Sequence, residues 1–164
     1  MEDFKKYFDN NEYVTKMVGN ADDMPPDDVN GDIIASLIAL LTKPENKDFK
    51  EQTLLILKKE KAGDLLITAI KKAKKDKAIL VAACWESEIN YSPQLTFFID
   101  LALDTDYLVC LEAITVISNM EGPFKAEDVK GSVEKVKKEQ KKLNSERLVL
   151  LNDLVNTLEG FIIS

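Results

Sequence analysis

The chain's 164 residues are enough to bury one sizeable core, and 45% hydrophobic with 31% charged residues is the balance of an ordinary globular protein. A net charge of −7 disfavours phosphate backbones unless a basic face is set apart. There is no histidine and only one arginine, Arg147, so the usual neutral-pH base, the commonest metal ligand and the preferred phosphate fork are missing or nearly so.

The acid surplus gathers early. Residues 1–48 hold 11 acids against five lysines, 5 − 11 = −6. The opening MEDFKKYF lacks the basic and apolar regions of a secretory signal. No apolar run approaches the ~20 residues that cross a bilayer. These features predict a cytoplasmic chain with no membrane partner.

Residues 4–18 read as a short amphipathic helix with Phe4, Tyr7, Phe8, Val14 and Met17 on its apolar side. Residues 19–31 read as a loop, because Pro25-Pro26 cannot continue a helix and aspartates favour turns. Asp28 to Asp32 faintly resembles a calcium loop, but Gly31 comes one place early and no glutamate closes it. Asn30 reads better as a helix cap. Residues 31–42 are almost wholly apolar and predict a buried helix. Residues 47–60 follow, with Phe49, Leu54, Ile56 and Leu57 turned inward.

Gly63 breaks the chain and Asp64 is the expected cap of the next helix. Its face is Leu65, Leu66, Ala69, Ile70 and Ala73. Lys71, Lys72, Lys74 and Lys75 complement the dipole at its end. Asp76 is the expected cap of a helix running to about Glu88. Ile79, Leu80, Ala83 and Cys84 mark one of its faces, and Val81, Ala82 and Trp85 a second. Ser92-Pro93 reads as a cap followed by Pro at the first helical position, with Leu95, Phe98, Ile99, Ala102 and Leu103 as the buried stripe. Asp106 caps a helix that turns Val109, Ala113, Val116, Ile117 and Met120 inward.

Gly122-Pro123 turns the chain. Residues 126–142 are polar apart from Val129, Val133 and Val136, so this helix should lie outside and cover little. The last helix, from about Ser145 to Ile162, carries Leu148, Leu151, Leu154, Val155, Leu158, Phe161 and Ile162 in a strong stripe. That stripe should pack back near Val116 and Met120 within a monomer. Dimerisation through 145–162 is the alternative.

A shift of 30 residues brings landmarks together: Asp76 onto Asp106, Ile79 onto Val109, Ala83 onto Ala113 and Pro93 onto Pro123. Each unit is one helical hairpin, and such hairpins bury their faces by stacking. The segment Leu95–Ile117 resembles a HEAT repeat at its inter-repeat junction. The matching residues are Leu95, Phe98, Ile99 and Leu103, then Asp104, Asp106, Val109, Glu112-Ala113 and Val116-Ile117. The family's usual arginine after the valine is replaced by Cys110, which removes the Asp–Arg ladder between repeats. The resemblance spans roughly residues 48–125. It implies an all-α fold of about eight helices: antiparallel hairpins stacked as a short HEAT/armadillo-like right-handed α-solenoid. The single domain comprises an N-terminal helix and acidic loop (1–30), a repeat core (31–125) and a C-terminal hairpin (126–164).

The sequence shows no phosphate loop and no zinc set, so no cofactor and no metal are expected. Cys84 and Cys110 sit in apolar patterns and read as buried free thiols. Catalytic residues are not expected. The late cations Lys130, Lys135, Lys137, Lys138, Lys141, Lys142 and Arg147 are interleaved with acids, which reads as a salt-bridged helix surface. Glu86 and Glu88 oppose the dipole of their helix end and flank Trp85, the only tryptophan, just before Tyr91. Trp85, Glu86, Glu88 and Tyr91 are therefore the candidate protein-binding residues. The expected function is a non-catalytic protein-interaction or scaffold module. A nucleic-acid-binding helical repeat and an enzyme are the alternatives.

Overall fold

Helical periodicity with few Gly or Pro dictates the architecture. The computed structural model describes residues 29–43, 50–104, 106–143 and 145–163. The expected helix at 4–18, the loop to residue 28, and Phe49 lie outside them. The described residues form α1 (Val29–Leu41), α2 (Lys50–Lys59), α3 (Gly63–Lys72), α4 (Lys77–Glu86), α5 (Leu95–Ala102), α6 (Tyr107–Ser118), α7 (Ala126–Gln140) and α8 (Ser145–Ile163). A single 3-10 turn, Ser92–Gln94, precedes α5. The protein is all-α, with no strand among the described residues.

Consecutive helices pair, α3 with α4, α5 with α6 and α7 with α8. The second helices also pack side by side, α4 on α6 and α6 on α8, while α5 packs on α7. Near the end of α4, the Trp85 indole donates to Glu112 of α6 at 2.9 Å. Just beyond α4, Asn90 and Ser92 donate to the carbonyl of Gly122, just beyond α6, at 2.8 and 3.1 Å. Thus α4 and α6 run the same way. Arg147, early in α8, donates to the carbonyl of Asp104, just before α6, so α8 runs with them. At the far end α1 packs on α2, α3 and α4. One apolar cluster threads all eight helices, from Ile34 and Leu54 through Leu66, Leu80, Phe98 and Val109 to Val129 and Leu151.

Several local expectations change. Asn30 already lies within α1. Ala62 takes the N-cap of α3, because the turn through left-handed Lys61 brings the Ala62 carbonyl to the Leu66 N–H at 3.1 Å; Asp64 lies in the first turn, where it still favours the dipole. Asp76 and Asp106 coincide in the repeat but differ in geometry. Asp106 is extended and accepts from the N–H groups of Leu108 and Val109 at 2.9 and 3.1 Å. Asp76 is left-handed, with φ 56°, and its side chain makes no capping bond. Ser92-Pro93 opens a 3-10 turn, and the Ser92 hydroxyl is drawn to Gly122 instead of capping. Gly122 itself needs a glycine, with φ 77°.

The C-terminal stripe is covered within the chain. Leu151, Leu154 and Leu158 are fully buried, with α8 packed chiefly on α7 and also on α6. The expectation that α7 is too polar to cover much does not hold. Val129, Val133 and Val136 lie buried on one stripe with Ser132. Near the end of the stripe, Phe161 stacks on Phe124 with centroids 4.0 Å apart. Ile162, at the stripe's end, is exposed.

Candidate interaction surface

Three of the four candidate residues, Trp85, Glu88 and Tyr91, line one cleft, though they differ in burial. Trp85 is 37% exposed, its ring held by Glu112. Glu86 is the last residue of α4, half-buried, and pairs with Lys50 of α2 at 2.7 Å. Glu88 lies beyond the helix at φ 54° and pairs with Lys58 of α2, which holds its carboxyl below the usual range by hydrogen bond and charge. The two acids that oppose the α4 dipole are thus matched by lysines from α2. That offsets the unfavourable helix-end term. Tyr91 is only 2% exposed and packs edge-on against Phe98 at 5.3 Å. It belongs to the core, where Gly63 makes room for its ring; a Cβ there would stand 3.2 Å from Cε1.

This cleft, of about 320 Å³, opens where α4 and α6 end and is lined among others by Trp85, Glu88, Tyr91, Ile89, Asn119 and Met120. It joins the exposed edge of Trp85 to the end of α6. The helix faces beside it carry the more general signal. The large hydrophobics exposed among the described residues are Leu55, Ile79, Trp85, Tyr107, Leu108, Val149 and Ile162. All lie on α2, α4, α6 or α8, and among the described side chains none lies on α1, α3, α5 or α7.

Leu108 and Val149 are 57% and 60% exposed. Leu108 lies one turn before Glu112, so it shares a face with the carboxylate that holds Trp85. On α8 the exposed residues Glu146, Val149, Asp153 and Asn156 recur at the spacing of one stripe. Ile79, expected inside, is on the exposed side of α4, whereas Val81 of the supposed second face is fully buried. Packing against α6 and α1 selects a different strip of α4 from the one that periodicity alone suggested.

Charge divides with the layers. Helices α4, α6 and α8 carry Glu86, Glu112, Glu146, Asp153 and Glu159 against Lys77 and Arg147, 2 − 5 = −3. Helices α3, α5 and α7 carry six lysines and six acids, a balance of zero. Arg147 is turned inward to the Asp104 carbonyl and lies beside Cys110. On α7, Lys135 pairs with Asp100 and Lys137 with Glu159 at 2.7 Å. Lys142, just past α7, pairs with Glu139 at 2.6 Å.

Cys84 and Cys110 are free and buried. Burial pushes the Cys84 thiol up to about 12. Burial also raises Cys110, with Arg147 acting against it. Both thiols are shifted away from the thiolate that a nucleophile requires. No helix among the described residues is long and apolar enough to cross a membrane. No family model, curated protein or solved structure matches the chain.

Proposed function

We propose that this chain is a non-catalytic protein-interaction module. It is a short, right-handed, HEAT/armadillo-like stack of helical hairpins in one domain, acting in the cytoplasm as a monomer. Its working surface is the outward side of α4, α6 and α8, with Trp85 at one end. The observation that carries this reading is that, among the described side chains, the exposed large hydrophobics stand on second helices. Scattered apolar residues are normal on a surface; their concentration on adjoining helices marks a contact face.

The stacked-hairpin reading is supported by the parallel run of α4, α6 and α8 and by the 30-residue offset between units. It is also supported by Arg147. The ladder position after Val109 holds Cys110, and the chain's one arginine reaches the same junction from the following hairpin. A protein is favoured over a nucleic acid because Lys135 and Lys137 of α7 are paired with carboxylates and the apolar face is acidic.

The test is a photo-activated cross-linking residue placed in turn at Leu108, Val149, Lys130 and Lys138 in the native cell. Leu108 and Val149 should give a discrete cross-linked protein, and the α7 positions should not. Cross-links from α7 alone would reject the proposed face.

A further inference from the structure

The working face has a chemistry that narrows what can dock there. It runs across three parallel helices and presents Ile79, Trp85, Leu108 and Val149. The same helices carry the carboxylates of Glu112, half-buried beside Trp85, and of Glu146 and Asp153, exposed on either side of Val149 along α8. No lysine occurs on α6 or α8, and the one on α4, Lys77, is its first residue. Arg147 is committed to the Asp104 carbonyl. An incoming segment therefore meets apolar side chains and negative charge together, with no exposed cation on the α6 and α8 parts of the face.

Trp85 sharpens this. Its indole N–H is taken by Glu112 at 2.9 Å, so a carboxylate is fixed at the edge of a part-exposed ring. A ring face and a carboxylate side by side attract a cation by quadrupole and by charge. Anionic lipid and nucleic acid backbones are repelled by the same groups.

Building on the interaction reading above, we infer that the face formed by α4, α6 and α8 binds a basic amphipathic segment of a partner protein. That segment presents an apolar stripe to Leu108 and Val149 and flanks it with lysine or arginine facing Glu112, Glu146 and Asp153. The cation nearest Trp85 sits over the indole beside Glu112.

Trp85 is the sole tryptophan, so its emission reports occupancy of the face directly. The probes are an amphipathic helical peptide of leucine and lysine, its leucine–glutamate counterpart, and duplex DNA, each titrated into the full chain. The leucine–lysine peptide should shift Trp85 emission saturably, with affinity falling as salt rises. Asp153→Lys should weaken it about tenfold. Glu127→Lys on α7, which changes net charge equally, should leave affinity within about twofold. Leu108→Asp should abolish the shift while circular dichroism stays helical. If Leu108→Asp fails to fold, Asp153→Lys against Glu127→Lys still decides.

Equal weakening by Asp153→Lys and Glu127→Lys would overturn the inference, since binding would then follow net charge and not this face. Binding of the leucine–glutamate peptide lost in Leu108→Asp would also overturn it, yet leave the interaction face standing. Saturable DNA binding would overturn both. So would self-association lost in Leu108→Asp, with a second copy as the occupant. Absence of any peptide binding, with Leu108 cross-linking intact in cells, would overturn the basic chemistry alone.

Discussion

Leu151→Ala probes whether the last helix is held by the chain itself. Leu151 is fully buried in α8, inside the cluster that α6 and α7 share with it. The substitution removes three carbons. At about 0.8 kcal/mol per buried methylene-sized group, transfer alone costs about 2.4 kcal/mol. The cavity left behind adds about 24 cal/mol per Å³ that the surroundings fail to fill, so the total should reach about 3–5 kcal/mol. Val149→Ala, on the exposed side of the same helix, should change stability by less than about 0.5 kcal/mol. Urea unfolding followed by circular dichroism measures both. For a domain of this size, each kcal/mol also lowers the melting temperature by roughly 2–4 °C. The unfolding midpoint should not depend on protein concentration, because the stripe is covered by α6 and α7 and not by a second copy. A Leu151→Ala loss below about 1 kcal/mol, or a midpoint that rises with concentration, would refute the intrachain packing.

Asp106→Ala should cost about 1 kcal/mol through loss of its two capping bonds, whereas Asp76→Gly should cost nothing, because the Asp76 side chain makes no cap and its left-handed backbone suits glycine; paired urea melts compare them, and equal losses would contradict the assigned geometry. Gly131→Ala should stabilise by about 1 kcal/mol, since a Cβ there meets nothing within 4 Å in the helix interior. Gly63→Ala should destabilise by about 1–3 kcal/mol, because its Cβ would press on the buried Tyr91 ring; thermal melts of the two variants should move in opposite directions. Alkali should weaken the fold through Cys84, whose proton is held to about 12 when folded but released near 9.0 when unfolded. Its stabilisation is complete below the unfolded value and falls by about 1.4 kcal/mol per pH unit above it, until pH passes the folded value. Urea midpoints at about pH 8 and about pH 10 should therefore converge more closely in Cys84→Ala than in the parent.

Element type was legible because burial here follows helical period over long stretches. Leu95 to Ala102 and Val109 to Met120 fall inward as their spacing requires. Caps were less legible. Asp76 and Asp106 stand in matching sequence positions, but only one has the extended backbone that lets its side chain reach back to free N–H groups. Coverage of the last helix was misjudged for a related reason. A three-valine stripe looks weak by composition, yet a hairpin turn presses it directly onto α8.

The surface was the hardest part to read. Glu86 and Glu88 stand out against the helix dipole, and Lys50 and Lys58, 36 and 30 residues away, are what balance them. Tyr91 follows the same cluster in sequence but turns into the core against Phe98. Ile79 points outward because neighbouring helices take the other sides of α4. Such outcomes depend on which helix lies beside which, and periodicity within one helix carries no record of that. Leu108 and Val149 break the pattern of buried leucine and valine only once that packing is known.

The double variant Leu108→Asp, Val149→Asp tests the proposed working face most directly. Both side chains are more than half exposed, so the urea midpoint should match the parent within about 0.5 kcal/mol. The measurement is the amount of the protein captured in the native cell by Leu108 or Val149 cross-linking that still co-purifies with the tagged double variant. The account predicts an intact fold with that protein lost. Undiminished co-purification by a folded double variant would contradict it, as would a variant that unfolds.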